Sequence, residues 1–588
     1  MVATNEGRRS HRQESKPSAK KPPRSRRVDV EPAASLSLRE PRTAGAARVA
    51  PPRVSAREAE RRIRALAGTI DTLDGRERLK RLAGLIRKDG RNARRMAFLE
   101  AAIADCLDEA AGAATPGGRW TACEAATWAL AWMARTKRAG GSAGGLLERL
   151  VGQARAAQAL LSSGDTQPAG FVLVLASLFV DVEACRCLEA GAVATVAAEL
   201  ERLVSAEGVP HLNGSHAMID RVVRWTAVRQ IARGIGANAW EKPTEQRWRR
   251  AATAVMRLLG GGGRILAGAG RMPASCTAPL LDALADCGRR RARTIRHIRR
   301  DRGGIEGGGL LRRDLHDAAA GVAIMRTGWD RRSVRVMLDY RHPVPRLEIA
   351  VGDRLLVDGP WQCEVWADGR AVEPEAGWSV SCWESDRKAT FLEITAPLGG
   401  GRQIERQVVV LPRDRVVLLA DAVTSSAAPA TLRYRGSLAL AASLDSQSAP
   451  ETRDVVVSDT RPRMLALPLA LPEWTSGGGG EFRAESGTLV LEQQASHRLY
   501  APLWFDCDPR RIGRPLTWRQ LTVADSRVIL PRHQAAGFRI QEGLDQWLVY
   551  RALDAARNRT LLGCNVSCEF LVGRVRKSGE VSRTLEIQ

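Results

Sequence analysis

The sequence is poor in tyrosine, and it has no apolar run long enough to cross a membrane. Among 588 residues there are four tyrosines against fifteen tryptophans, and the first tyrosine is Tyr340. The longest apolar run, Phe171–Val180, is too short for a bilayer span. The basic N-terminus lacks the apolar segment of a signal peptide. We therefore expect no membrane contact and a cytoplasmic location.

Cysteine pairs with metal-binding spacing are also missing. The chain has eleven cysteines, and the closest ones are Cys185 with Cys187 and Cys564 with Cys568. Neither spacing has the companion ligands that a zinc site needs. We expect free thiols in a reducing compartment, no metal site and no cofactor.

Acidic residues are too few to balance the basic ones. The formal charge is +25 and the isoelectric point is about 10.6. This excess favours a polyanionic partner, either nucleic acid or an acidic polysaccharide. Arginines scattered over the surface would give the same total, so that alternative stays open. The densest run predicts one basic helical face, which is either an anion-binding stripe or a solvated surface: Arg289, Arg293, Arg296 and Arg300.

Composition and periodicity divide the chain into three parts. Residues 1–55 have few large apolar side chains and predict a disordered basic tail, or alternatively an arm that binds nucleic acid. Residues 56–305 repeat apolar positions at helical spacing, which fits an (α/α) toroid-like helical domain or an α-solenoid. Residues 318–588 alternate apolar and polar residues and predict an antiparallel β-sandwich of two sheets. The predicted fold is α+β with two domains.

The stretch Gly321–Gly359 marks the change from helices to strands. Val334, Val336 and Leu338 alternate with polar or flexible residues, a pattern typical of strands with one buried face. Gly352-Asp353 lies where a tight hairpin needs a residue with positive φ. We expect half-buried antiparallel strands on both sides of this turn.

The same region carries a family resemblance. The segments VAIMRTGWD, VRVMLDY and LEIAVGDRLLVDGPW resemble the opening of the β-sandwich in heparinase II/III-like proteins. The hairpin Ile404–Val423 and the closing run Trp547–Val575 are similar to later parts of that domain. In that family a helical toroid precedes the sandwich, and the known enzymes are lyases of acidic polysaccharides. The resemblance implies this fold and an acidic polysaccharide partner.

In the helical domain, the resemblance points to His211–Trp225. Asn213, Gly214, Ser215 and His216 are similar to a loop that carries catalytic residues in the lyases. The Tyr-His pair that follows in those enzymes is replaced here by Val223 and Arg224. From the residues alone, Asn213-Gly214 can also be a simple turn, with His216 in the first turn of a helix. The binding residues that we predict in this segment are His211, Asn213, Arg224 and Trp225.

In the sandwich, the resemblance points to Tyr340–Val344. Where relatives have a His-x-His-Ala-Asp segment, this chain keeps one histidine, His342. We predict His342, Tyr340 and His216 as catalytic residues, and Arg341 and Arg326 as further binding residues, because arginine pairs well with carboxylate and sulfate. A structural role for His342 is the alternative.

Three functions follow from these observations. The first is a lyase that acts on an acidic polysaccharide by β-elimination. The second is a catalytically degenerate member of the fold that binds a glycan or another polyanion. The third is a scaffold whose basic tail binds nucleic acid or a protein. The lost Tyr-His pair and the missing signal peptide favour the second and third, whereas the resemblance favours the first and second.

Overall fold

The structure is a computed structural model. It describes these residues of the chain: 54–67, 70, 72–87, 93–112, 116–134, 142–234, 240–267, 270–272, 277–300, 309–426 and 428–588. The predicted tail lies outside the described residues up to position 53.

Helices form the first half of the described chain, as the periodicity predicts. A short 3₁₀ turn at Gly261–Gly263 and a small hairpin interrupt them near their end. In chain order, the helices α1 to α12 are Ala56–Ala67, Leu73–Arg87, Ala93–Gly112, Pro116–Ala134, Ser142–Ser162, Ala169–Leu178, Glu183–Arg186, Glu189–Leu203, Gly214–Gly234, Lys242–Met256, Ala278–Ala285 and Arg289–Arg300. None of the described helices is long and apolar enough to span a membrane.

Antiparallel strands form the second half. The strands β1 to β14 are Ile265–Ala267, Gly270–Met272, Leu315–Asp317, Val322–Arg326, Val334–Asp339, Arg346–Val351, Arg354–Ala367, Arg370–Val372, Ser379–Ser385, Thr390–Leu398, Arg402–Leu411, Val416–Ser425, Thr431–Leu440 and Asp445–Ser448. The strands β15 to β28 are Val455–Ser458, Pro462–Pro468, Gly480–Glu485, Thr488–Ser496, Leu499–Asp506, Leu516–Leu521, Ala524–Asp525, Val528–Ile529, Ala535–Glu542, Asp545–Ala552, Arg559–Leu561, Cys564–Val566, Phe570–Val575 and Val581–Ile587.

Three large sheets are stacked on one another. A nine-stranded sheet has the order β17-β18-β13-β7-β6-β5-β4-β3, with β8 beside β7. An eight-stranded sheet has the order β14-β15-β16-β19-β12-β11-β10-β9, and a five-stranded sheet has the order β20-β23-β24-β27-β28. One apolar cluster joins the nine- and eight-stranded sheets, and another joins the eight- and five-stranded sheets.

The prediction of a two-sheet sandwich was therefore incomplete, because it omitted the third sheet. The eight-stranded sheet is covered on both faces, and β12 is buried at nearly every position. Strands covered on both faces are almost continuously apolar, as in VVLLADAV. That run was the sequence signal for the third sheet.

The expectation of half-buried strands around Gly352 was also wrong. All six residues of β5 are buried. Val334, Val336 and Leu338 belong to the core between the sheets, whereas Met337 belongs to the core of the helical part. The helices cover the outer face of β4 and β5, so both faces of these strands are removed from water. The predicted hairpin at Gly352-Asp353 is confirmed between β6 and β7.

Helices and sheets are part of one compact unit. Buried arginines hold them together: Arg326 on β4 donates to the carbonyl oxygen of Leu259 at 2.8 Å, and Arg335 on β5 donates to that of Leu258. These carbonyls lie just after α10, where helix-terminal acceptors lack an intrahelical partner. The junction is therefore fixed by charged donors on strands and carbonyl acceptors in the segment that follows α10.

Candidate functional site

The two segments that the sequence singled out meet at this junction. The His342 Nε2 and the Asn213 Oδ1 atoms lie 3.4 Å apart, and both side chains are exposed. His342 lies in the turn between β5 and β6, and Asn213 lies just before α9. One side chain from the sheet and one from the helices therefore face each other at the surface.

A carboxylate from the sheet holds the start of α9. The backbone N–H of Ser215 donates to Glu348 Oε1 at 2.9 Å. The first N–H groups of a helix have no partner within the helix and favour negative charge. Glu348 on β6 is buried, and Arg335 lies 3.4 Å from its second oxygen. Glu348 thus fixes the helix start, and with it Asn213, relative to the sheet.

Arg341 ties the facing turn to the same loop. Its Nε donates to Asp339 Oδ1 at 2.9 Å, and its Nη2 donates to the carbonyl oxygen of Leu212 at 3.1 Å. The hydrogen bond to Asp339 raises the pKa of Arg341. The guanidinium predicted to bind substrate is thus already held by partners on both sides of the junction, where it positions Asn213 and His342.

Tyr340 forms a pair that the sequence reasoning missed. Its hydroxyl oxygen lies 2.9 Å from His316 Nε2, and the His316 ring lies 4.8 Å from that of Trp383. Burial raises the pKa of Tyr340 to about 12, with further contributions from Asp317 and Asp339. Burial also lowers the pKa of His316. The segment DLHD just before β4 contains His316, but only the pairing of β3 with β4 and of β4 with β5 brings it beside Tyr340.

Of three other predicted residues, His211 lies in the segment before α9, and His216 and Arg224 lie on α9. His211 and His216 are exposed. His216 lies in the first turn of α9, which agrees with the alternative that the sequence left open. Arg224 lies farther along α9, donates to Asp220 at 2.9 Å and lines a separate cavity of about 110 Å³ among the helices.

Trp225 and Arg326 lie in the interior. Trp225 is 1% exposed and its indole N–H donates to Glu199 at 2.7 Å. Arg326 is 3% exposed and also donates to the carbonyl oxygen of Gly328 at 3.0 Å. Burial lowers the pKa of Arg326 to about 9. Neither side chain offers an exposed surface, so we leave both out of the proposed site.

The chemistry available at the junction is that of imidazole and amide groups. Within the described residues, no group of three or more His, Cys, Asp or Glu side chains is placed to hold a metal ion. The functional residues that sequence reasoning missed are His316 and Glu348. The sequence contains one indication of Glu348, because an acidic residue is unusual inside the apolar strand LEIAV. Its partner Ser215 on α9 could not be inferred from the spacing of residues.

Solved structures that are similar to this chain include heparinase III and a heparan sulfate lyase. A heparinase III structure is 10% identical, with a TM-score of 0.55 over 86% of this chain and 94% of that one. A heparinase III gene product is 10% identical, with a TM-score of 0.52 over 81% of each chain. The chain has the heparinase III fold. A mutant of heparan sulfate lyase HepC from Pedobacter heparinus is 11% identical, with a TM-score of 0.51 over 87% of this chain and 91% of that one.

Comparisons of sequence gave no further relatives. No family model matches the chain, and no curated protein matches it. The shared fold confirms the resemblance to heparinase II/III-like proteins. The prediction that a helical part precedes the sheets rested partly on this resemblance. A shared fold at such low identity does not carry the chemistry with it.

Proposed function

We propose that this chain is a heparinase II/III-like, lyase-type protein that binds acidic polysaccharides at the junction and cleaves them by β-elimination. The observation that carries the proposal is the approach of His342 to Asn213 across the junction, 3.4 Å between side-chain atoms. It joins an exposed imidazole to an exposed amide on a fold whose solved examples include heparinase III.

In this reaction His342 is the base. Its imidazole takes the proton from the carbon next to a uronate carboxylate, and the electrons of that C–H bond form a carbon–carbon double bond as the glycosidic C–O bond breaks. The Asn213 amide N–H groups donate to the carboxylate, where negative charge develops. The exposed His216, three residues along the chain, gives a proton to the leaving oxygen.

Tyr340 has a positioning role in this scheme. It is 5% exposed and its hydroxyl group is engaged by His316. A phenol with a raised pKa stays protonated at neutral pH and is unsuited to act as a base. The His316–Tyr340 pair thus supports the start of the turn that carries His342.

The test is a product assay on the purified chain. The chain is incubated with a panel of sulfated and unsulfated uronate polysaccharides, and the ultraviolet absorbance of the unsaturated product is followed. We expect product from at least one uronate polymer and none from a neutral glucan. Absence of both product and binding across the panel would contradict the proposal.

Binding without turnover is a second function, supported by one observation. The α9 positions where lyases carry a Tyr-His pair hold Val223 and Arg224, and Arg224 pairs with Asp220. The helical part therefore supplies no tyrosine as a proton donor. Retained affinity for a polysaccharide with no unsaturated product would favour this function over the lyase.

A further inference from the structure

A strongly basic cleft lies at the opposite end of the strands that carry the junction site. Its volume is about 660 Å³, and six arginines and one aspartate are among its lining residues: Arg264, Arg331, Arg332, Asp353, Arg461, Arg463 and Arg510. We call it the arginine cleft. Its volume lies within the range of small-molecule sites.

The arginine cleft is separate from the His342 site. It contains the β4–β5 and β6–β7 turns, whereas His342 lies in the β5–β6 turn at the other end of β5. Six residues of strand at about 3.3 Å each separate the two ends by about 20 Å. A ligand in the arginine cleft would therefore not touch His342.

Three layers of the fold supply the charge. Arg264 comes from the segment after the 3₁₀ turn, Arg331 and Arg332 from the β4–β5 turn of the nine-stranded sheet, and Arg461 from the β15–β16 turn of the eight-stranded sheet. Arg510 follows β19. Because the side chains come from separate backbone segments, they surround a narrow space instead of forming one stripe along a helix.

Three of the six arginine side chains have no acidic partner among the described residues. Arg264 lies 3.5 Å from Asp353, and Arg463 lies 2.7 Å from Asp459. Arg332, Arg461 and Arg510 are exposed, and no acidic side chain among the described residues pairs with them. Like charges held together repel each other, so an anion that enters the cleft lowers the free energy of the folded state.

The wall of the cleft is rigid. Gly261 N donates to the carbonyl oxygen of Gly352 at 3.1 Å, and Gly352 N donates to that of Ser333 at 2.9 Å. Gly352 has φ +61°, and a Cβ there would lie 2.2 Å from the carbonyl oxygen of Arg331. Pre-formed walls reduce the entropy lost on binding.

We propose that the arginine cleft is a second binding site, for an anionic oligosaccharide that carries sulfate or carboxylate groups. Guanidinium groups match both anions with paired hydrogen bonds. No aromatic ring occurs among the described lining residues. Proteins that bind single-stranded nucleic acid stack bases on aromatic rings, so a glycan fits this lining better. The proposal does not depend on turnover at His342.

The experiment measures binding to the full chain by calorimetry at low salt. The probes are a fully sulfated hexasaccharide, an unsulfated hexauronate, and an oligothymidylate with the same charge as the hexauronate. The cleft variant is Arg332→Ala/Arg461→Ala/Arg510→Ala. The control, Arg370→Ala/Arg527→Ala/Arg557→Ala, removes the same charge from exposed positions outside the cleft.

We expect the cleft variant to bind one of the hexasaccharides at least about tenfold more weakly than the parent, and the control to stay within about twofold. Added salt should reduce this difference. Equal losses in the two variants, or no loss in the cleft variant, would overturn the proposal. Tighter binding of the oligothymidylate than of both hexasaccharides would overturn the choice of ligand. Circular dichroism and thermal unfolding verify that each variant is folded.

Discussion

Arg406 and Asp421 form an ion pair that has no exposed side-chain surface. Two guanidinium nitrogens donate to the two carboxylate oxygens, at 2.8 and 2.9 Å. The pair joins β11 to β12, and Arg406 also donates to the carbonyl oxygen of Trp361 while Tyr434 donates to Asp421. The network therefore links the eight-stranded sheet to the nine-stranded sheet with every charge paired.

Removing one member of this pair should destabilise the protein strongly. Asp421→Ala leaves a buried guanidinium without its partner, which costs about 3–5 kcal/mol of unfolding free energy. The double variant Arg406→Met/Asp421→Leu should lose much less, because no buried charge remains. Urea unfolding measures the unfolding free energy of both variants.

Arg576→Ala, which breaks an exposed pair with Glu580, is the control and should change stability by less than about 1 kcal/mol. Equal losses in the single and double variants would contradict this account.

Gly352→Ala should reduce the stability of the fold by more than the cost of a positive φ alone. Gly352 and Gly369 have φ values of +61° and +78°, but a Cβ at Gly369 meets nothing within 4 Å. Gly369→Ala should therefore cost only the left-handed backbone, about 1–2 kcal/mol. Gly352→Ala must in addition displace the carbonyl oxygen of Arg331, so its loss in thermal stability should be clearly larger. Matching melting temperatures for the two variants would show that the Gly352 turn can relax.

His316 should make stability depend on pH. Burial lowers its pKa in the folded state, whereas the unfolded chain titrates near about 6.5. As the pH falls through this value, the unfolded state takes up a proton that the folded state does not, and stability decreases. The parent should therefore lose more unfolding free energy between pH 7.5 and pH 5.5 than His316→Gln does. The exposed His211→Gln is the control and should follow the parent.

His342→Ala should abolish product formation with little loss of polysaccharide affinity, because a base acts mainly in the transition state. Asn213→Ala should lower both turnover and affinity. His533→Ala, in the segment just before β23, is the matched histidine control and should keep the parent's rate. Rates are followed by the ultraviolet absorbance of the unsaturated product. Parent-like turnover in His342→Ala would remove this residue from the proposed mechanism.

Arg341→Ala should act through the loop that it holds. Its guanidinium donates to Leu212 and Asp339, so its loss frees the segment before α9. We expect weaker polysaccharide binding and slower turnover together, whereas Arg370→Ala, an exposed arginine in β8, should change neither. Unchanged affinity in Arg341→Ala would show that the loop keeps its position without it.

The sequence was sufficient where local patterns decide structure. The helical spacing of apolar positions and the alternation around Val336 identified the two parts, and Gly352-Asp353 was correctly predicted as the turn between β6 and β7. The third sheet was missed because strands covered on both faces lose their alternation. Burial of a strand depends on which layers cover it, and periodicity does not contain that information.

The site was predictable only in part. His342 and Asn213 lie 129 positions apart, and they were paired through the resemblance instead of through any spacing rule. Trp225 and Arg326 were predicted as binding residues, yet packing placed both inside. The pairing of His316 with Tyr340 depends on strand register. The hydrogen bond from the start of α9 to Glu348 depends on a tertiary contact. Neither interaction follows from local sequence.

The hydrogen bond from Ser215 to Glu348 makes one backbone proton a reporter of motion between the helices and the sheets. Its acceptor belongs to β6, so this proton is protected only while α9 stays docked on the sheet. Amide exchange at Ser215 therefore measures how often the two parts separate locally, independently of unfolding within either part. A polysaccharide that bridges Asn213 and His342 would slow this exchange, which gives an assay of occupancy that needs no turnover.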